Sequence, residues 1–201
     1  MGRHRSVCHR PGLFFDAELV GIGIGIQVDM VSRDIALQYL VLIQSRTENS
    51  SMISIRKAGT NDLDALEELF SGYLAFYERK HEVDAIRQFL HDRIRHKQST
   101  IFIARSGDKA LGFTQLYPAF ASLSLKPSWI LNDLFVVADA RGHGVAESLM
   151  AAARQLATET HACEIFLQTA RSNRKAQALY EKLHYQRDDE FLVYTLAIPA
   201  P

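Results

Sequence analysis

The sequence predicts a mixed α/β fold, a central sheet of about six to seven strands flanked by four helices. Two observations carry that prediction. From residue 52 onward the apolar residues switch repeatedly between a period of two and a period of three to four, in the order βααβββαβαβ, with a further short strand around Tyr185. No repeat and no long linker interrupts the series, so the elements belong to one layered domain with helices packed on a sheet.

The elements follow in order. "ISIRKA" alternates and reads as a strand. Thr60, Asn61 and Asp62 supply helix-capping chemistry, after which Leu63, Leu66, Phe70, Tyr73 and Leu74 recur at helical spacing. Val83, Ile86, Phe89, Leu90 and Ile94 mark a second helix. "TIFIAR", the turn "SGDK" and "ALGFTQLY" form a hairpin, and "AFASLSLKPS" reads as a polar-aromatic loop. "WILNDLFVV" is a strand, Gly144 to about Thr160 a helix, "EIFLQTA" a strand, Asn173 to Leu183 a helix, and "EFLVYTLAI" the closing strand.

Residues 1–51 read differently. "ELVGIGIGIQVDM" alternates glycine with isoleucine, but its third glycine falls one place early for G-x-G-x-x-G and no amphipathic helix follows. A weakly structured or edge-strand extension is expected there, with the domain proper spanning residues 52–201.

The 201 residues are 47% hydrophobic and 23% charged with a formal net charge of zero. That balance gives no support to a protein built to hold nucleic acid or an acidic membrane. No apolar run approaches the roughly 18 residues that span a bilayer, and the basic opening lacks the apolar core of a secretory signal. A cytoplasmic location is expected. Cys8 and Cys163 match no metal or redox spacing. His91 and His96 are five apart, not the four of a helical zinc motif, so no metal is expected.

The stretch "DARGHGVAESLM" carries the first chemical signal. Val145, Leu149, Met150, Ala153 and Leu156 give the following helix its buried stripe, so its first turn begins at Gly142 and Gly144. Free N–H groups of a first turn, backed by the helix dipole, form an anion site, and Arg141 adds positive charge. The other reading of this loop is an ordinary glycine turn with a solvated arginine. A Walker A loop is excluded, because no G-K-[ST] follows. The second signal is "SNRKAQALYEKLHY", which puts Asn173, Ala176 and Tyr180 on one helix; Asn173 and Tyr180, seven apart, share a face. Taken singly, Tyr180 reads as a core aromatic and Asn173 as a helix cap.

Together these residues resemble the GNAT superfamily of acyl-CoA-dependent N-acetyltransferases. Arg141, Gly144 and Ala146 match its [Q/R]-x-x-G-x-[G/A] hallmark, with "LNDLFVVADA" as the strand leading in. Asn173, Ala176, Leu179 and Tyr180 match its N-x-x-A-x-x-L-Y pattern. His184 departs from the family by standing at a usual glycine. The resemblance runs from residue 52 to about 198.

The resemblance implies a sheet split beside the fourth strand, and acetyl-CoA as co-substrate. Its pyrophosphate would lie on the amides of Gly142, His143, Gly144, Val145, Ala146 and Glu147, near Arg141. Its pantetheine arm would run along Leu134, Phe135 and Val136 as an added strand. Asn173, beside Ala176, would touch the arm or cap its helix. A main-chain N–H near Phe135 would stabilise the oxyanion. Tyr180 would protonate the departing sulfur. Asp133 is the candidate base, acting directly or through water, or else a carboxylate bonded to local backbone. Asn132 stands where polyamine-acetylating relatives carry a second acid. Tyr117, Phe120 and Trp129 are expected near the acceptor entrance, Tyr73 in packing. The acceptor is a small-molecule or peptide amine, and homodimers are common among relatives. The alternative is an acyl-CoA-binding sensor of the same fold without catalysis.

Overall fold

The structure, a computed structural model, describes residues 53–198. Strand β1 (Ser54–Lys57) leads through a short 3-10 turn to helices α1 (Leu63–Phe76) and α2 (Val83–Arg95). Strands β2 (Thr100–Ser106), β3 (Lys109–Ala121) and β4 (Lys126–Val136) follow, then helix α3 (Val145–Glu159), strand β5 (Ile165–Leu167) and helix α4 (Arg174–Lys182). The sheet order is β1-β2-β3-β4-β5, antiparallel except for the parallel β4–β5 pair.

Strand alternation sends Ile101, Ile103 and Phe113 to one face, where Leu66 and Leu69 of α1 and Ile86 and Leu90 of α2 cover them. Leu116, Leu131 and Trp129 reach the opposite face, under Met150 and Ala153 of α3. Each such leucine or isoleucine stabilises the fold by about 1.5–3 kcal/mol. The expected mixed α/β layering is therefore present.

One expectation is sharpened and two are corrected. Asp62 supplies capping chemistry to the 3-10 turn that leads into α1 and not to α1 itself: its carboxylate accepts from the Gly59 N–H at 2.9 Å and is clamped by Arg56 at 2.7 and 2.5 Å. The supposed loop "AFASLSLKPS" is mostly strand, since Ala119, Phe120 and Ala121 pair with Ser128, Pro127 and Lys126 across a turn at 122–125. The sheet has five strands among the described residues, not six to seven. "EFLVYTLAI" forms no strand, and its large apolar side chains lie exposed. Strand composition becomes a strand only where a neighbouring ladder is available, and β5 offers three residues.

Two features of β4 position the site. Its register with β3 passes from Gln115↔Asp133 to Leu116↔Leu131, so Asn132 is the extra residue of a bulge. Beyond the bulge the β5 partnership ends, since β5 pairs only with Trp129, Ile130 and Leu131. The sheet is thus split beside residues 132–136, as expected. No helix among the described residues is long and apolar enough to cross a membrane.

Candidate active site

The chain leaves β4 through a 3-10 turn, Ala138–Ala140, and enters the glycine loop. Gly142 and Gly144 have φ of +79° and +80°, the left-handed region where a side chain is strained. A Cβ at either would meet nothing within 4 Å, so the space outside the loop is open. The first bond of α3 runs from the Ser148 N–H to the Gly144 carbonyl, 2.9 Å. The amides of Val145, Ala146 and Glu147 therefore have no partner within the helix. His143 is exposed. Arg141 is no free surface arginine: its Nε donates to the Val136 carbonyl at 2.9 Å and its guanidinium lies 5.9 Å from the rings of Phe76 and Phe135. Positive charge is thereby fixed beside the loop. Glu147 bonds Lys182 of α4 at 2.7 Å, which offsets a carboxylate that would oppose an incoming anion. Open glycines, free amides and a pinned arginine fit a diphosphate.

The split edge lies next to this mouth. The Val137 N–H donates to the Leu111 carbonyl at 3.0 Å, and Thr114 Oγ1 donates to the Asp133 carbonyl at 2.9 Å. Residues 133, 135 and 137 thus turn their main-chain groups toward β3, and the alternation turns those of Leu134 and Val136 to the open side. Phe135 itself faces β3, so the expected main-chain donor near it would come from its neighbours. Its backbone is engaged by β3, its carbonyl filling the space where a Cβ at Gly112 would sit, 2.4 Å away. The main-chain donors facing the split belong to Leu134 and Val136.

Helix α4 packs through Tyr180 against the cluster of Leu116, Leu131 and Met150. Asn173 caps it, Oδ1 accepting from the Ala176 N–H at 3.2 Å. Tyr180, two turns on, is half-buried with its ring 5.9 Å from that of Tyr185. Burial, with Tyr77 and Tyr185 nearby, pushes its phenol up to about 12.

Asp133 lies under α1, with 3% of its surface exposed. Burial raises its carboxyl above the ordinary range, and the Tyr73 hydroxyl and Asn132 partly oppose that rise. Asn132 donates through Nδ2 to Asp133 Oδ1 at 3.1 Å. Tyr73 packs on Phe113 and Phe135, while burial and the facing Asp133 push its phenol well above an ordinary tyrosine. Packing was expected of Tyr73; its place over Asp133 was not, because no spacing relates positions 73 and 133. Tyr117, half-buried, is also raised to about 12 by burial and Asp133. Trp129 is absent from this cleft: it is buried under α3, its Nε1 bonding Thr160 Oγ1 at 2.8 Å. Phe120 lies exposed on the extended β3–β4 arm.

The site thus combines a sheet split beside β4, free helix-start amides with Arg141 at one end of that strand, and the buried Asp133 nearer its middle. The sequence profile of the Acetyltransferase (GNAT) family matches residues 63–185. An uncharacterized N-acetyltransferase of Bacillus subtilis (strain 168), YhfO, is 42% identical over 148 residues, 74% of this chain and 99% of that protein. The crystal structure of a probable acetyltransferase superposes with a TM-score of 0.69 at 42% identity, covering 74% of this chain and 99% of that one. An aminoglycoside N-acetyltransferase in complex with CoA shares the fold, with a TM-score of 0.63 at 21% identity over 73% of this chain and 96% of that one. The chain belongs to the GNAT acetyltransferase family and is an acetyl-CoA-dependent N-acetyltransferase.

Proposed function

We propose that the protein transfers an acetyl group to a primary amine, on a small molecule or a lysine side chain, by direct attack in a ternary complex. What supports this reading is Tyr73, whose phenol faces Asp133 and also feels Tyr180, so that these two unlike groups are neighbours of one side chain beside β4. Acetyl-CoA supplies the activated acyl group. The amides of residues 142–147, with Arg141, hold the diphosphate; Leu134 and Val136 offer strand-type main-chain groups to the arm. Asn173 has its Oδ1 committed to the cap, which leaves Nδ2 to face the arm.

The amine must lose a proton before attack, and a lysine-type amine has a pKa of about 10.4. A carboxylate raised by burial is a better base than a solvated one, so Asp133, directly or through water, serves that need. Tyr73 and Asn132 keep Asp133 oriented while leaving it basic. Tyr180 stays neutral at physiological pH and donates a hydrogen bond to the leaving sulfur. Full transfer from such a phenol to a thiolate of pKa about 8.5 is uphill. Its weight therefore falls on stabilising the sulfur, and the proton shed by the amine balances the product thiol. The aminoglycoside enzyme of the same fold and the general family chemistry both fit a small-molecule amine as acceptor.

The test is release of free CoA thiol across an amine panel for wild type and Tyr180→Phe. The expected result is about a hundredfold loss of kcat with the KM for acetyl-CoA little changed. Unchanged turnover would remove Tyr180 from the mechanism. Calorimetric CoA binding without acetylation of any amine would favour a non-catalytic sensor.

A further inference from the structure

The acceptor side of the cleft holds two polar atoms that the protein leaves unpartnered. Gln115 is fully buried; its Nε2 donates to Ser99 Oγ at 2.7 Å, while its Oε1 accepts from nothing. Arg93, on α2, is half-buried with its guanidinium carbon 4.8 Å from the centre of the Phe89 ring, and its Nε–H is sealed from water without an acceptor. Among the described residues no carboxylate lies in ion-pair range of Arg93. Buried orphans of this kind cost stability, and a ligand that reached them would have to bring an acceptor to the one and a donor to the other.

The fold brings these atoms to the amine site. Gln115 and Asp133 are direct partners across β3–β4, so their side chains share one face of the sheet. Tyr117 is within reach of both charges: its phenol meets the Gln115 carboxamide and feels Arg93 and Asp133 with opposite sign. The cleft is therefore bipolar, negative at Asp133 and positive at Arg93.

We propose that the acceptor is an amphoteric small molecule of the amino-acid type, whose amine lies at Asp133 and the Gln115 carbonyl while its carboxylate is held by Arg93. Arg93 is a specificity-determining residue in this scheme, because its fixed planar donors match a carboxylate. A polycationic acceptor would set a second ammonium against Arg93, and like charge in a desolvated cleft selects against it. The inference rests on the acetyltransferase reading above and narrows its acceptor.

The experiment compares matched pairs, an amino acid and the amine left when its carboxylate is removed, with kcat/KM corrected to the neutral-amine concentration. Wild type, Arg93→Gln and Arg93→Lys are assayed, and a calorimeter measures binding of the amino acid to each protein in the presence of CoA. Wild type is expected to favour the carboxylated member by about tenfold or more; R93Q brings that ratio near unity, and R93K retains part of it. Amino-acid binding should weaken about tenfold in R93Q, with CoA affinity reporting that the fold is intact. Equal or better use of the decarboxylated amine by wild type, or a preference for polyamines or aminoglycosides, overturns the proposal. So does an equal loss on both members in R93Q. If CoA binds but no amine is acetylated, the catalytic reading fails while the calorimetric arm still decides the subsite: binding sensitive to Arg93 supports it, and no binding overturns it.

Discussion

The mouth and the cleft lie along one strand, β4, yet they are built from different materials. The mouth is backbone: Gly142 and Gly144 in left-handed conformation, open space outside them, and three amides that α3 does not use. The cleft is desolvated side chains: Asp133, Gln115 and the phenols of Tyr73 and Tyr117. Water satisfies the mouth's amides until a ligand arrives, so binding capacity there costs the fold little. The cleft has no such shelter, because an ionised carboxylate and orphaned polar atoms are held away from water. The comparison teaches where each region is vulnerable: the mouth to changes of backbone and shape, the cleft to changes of charge.

The largest effect is expected at the mouth. Gly144→Val puts a branched side chain at φ +80°, into the space outside the loop. Since no protein atom lies within 4 Å of that Cβ, the stability loss should be confined to backbone strain, about 1–2 kcal/mol. CoA binding should fall by far more, about a hundredfold or greater, as the close approach of phosphate to amide is blocked. Calorimetry beside a denaturant melt separates the two numbers. Normal CoA affinity in this variant would break the comparison at its first term.

The cleft predicts the opposite trade. Asp133→Asn should lower kcat/KM by about a hundredfold at pH 7–8, because the amine loses its base. Stability should move the other way. The Asp133 carboxyl is raised in the folded protein, so the fold binds its proton more tightly than the unfolded chain does. That contribution is fully present below the unfolded carboxylate pKa of about 3.9 and is lost as pH rises through the folded value. Above that window the wild type carries the cost of a buried charge and the asparagine does not. Urea melts from pH 4 to pH 8 should show the variant's advantage opening as pH rises and then levelling off. A variant less stable than wild type at neutral pH would mean that the contacts from Tyr73 and Asn132 outweigh desolvation.

The same contrast explains what could be read from the sequence. The mouth was legible because it is local: Arg141, Gly142, Gly144 and the helical stripe from Val145 lie within one short stretch, and Asn173 with Tyr180 obeys a helical period. The cleft was mostly illegible because Tyr73, Arg93, Gln115 and Asp133 come from four different elements. Strand register and the bulge at Asn132 join them, and neither leaves a periodic mark. Asp133 was reachable only through the family resemblance. Trp129 was misplaced for a related reason: the apolar, aromatic run beside it does not say which face of β4 each residue takes, and its face meets α3. "EFLVYTLAI" has the composition of a strand, but pairing is a property of neighbours.

The smallest expected effect tests whether backbone conformation can be changed without touching chemistry. His184 stands where the resembled family usually has glycine, and its φ is +66°, the conformation that glycine favours. The turn is the left-handed ending of α4: the Tyr185 N–H donates to the Tyr180 carbonyl at 2.9 Å and the His184 N–H to the Glu181 carbonyl at 3.0 Å. The left-handed turn is thus formed without glycine, at a strain of about 1 kcal/mol. His184→Gly relieves that strain but frees the unfolded chain, so the net gain should be about 0.5 kcal/mol. The imidazole is exposed and makes no hydrogen bond among the described residues, so its removal should leave turnover as it was. A stabilised variant with reduced kcat would show that strain at His184 sets the position of Tyr180, and the division between backbone mouth and side-chain cleft would then have to include this turn on the side of the chemistry.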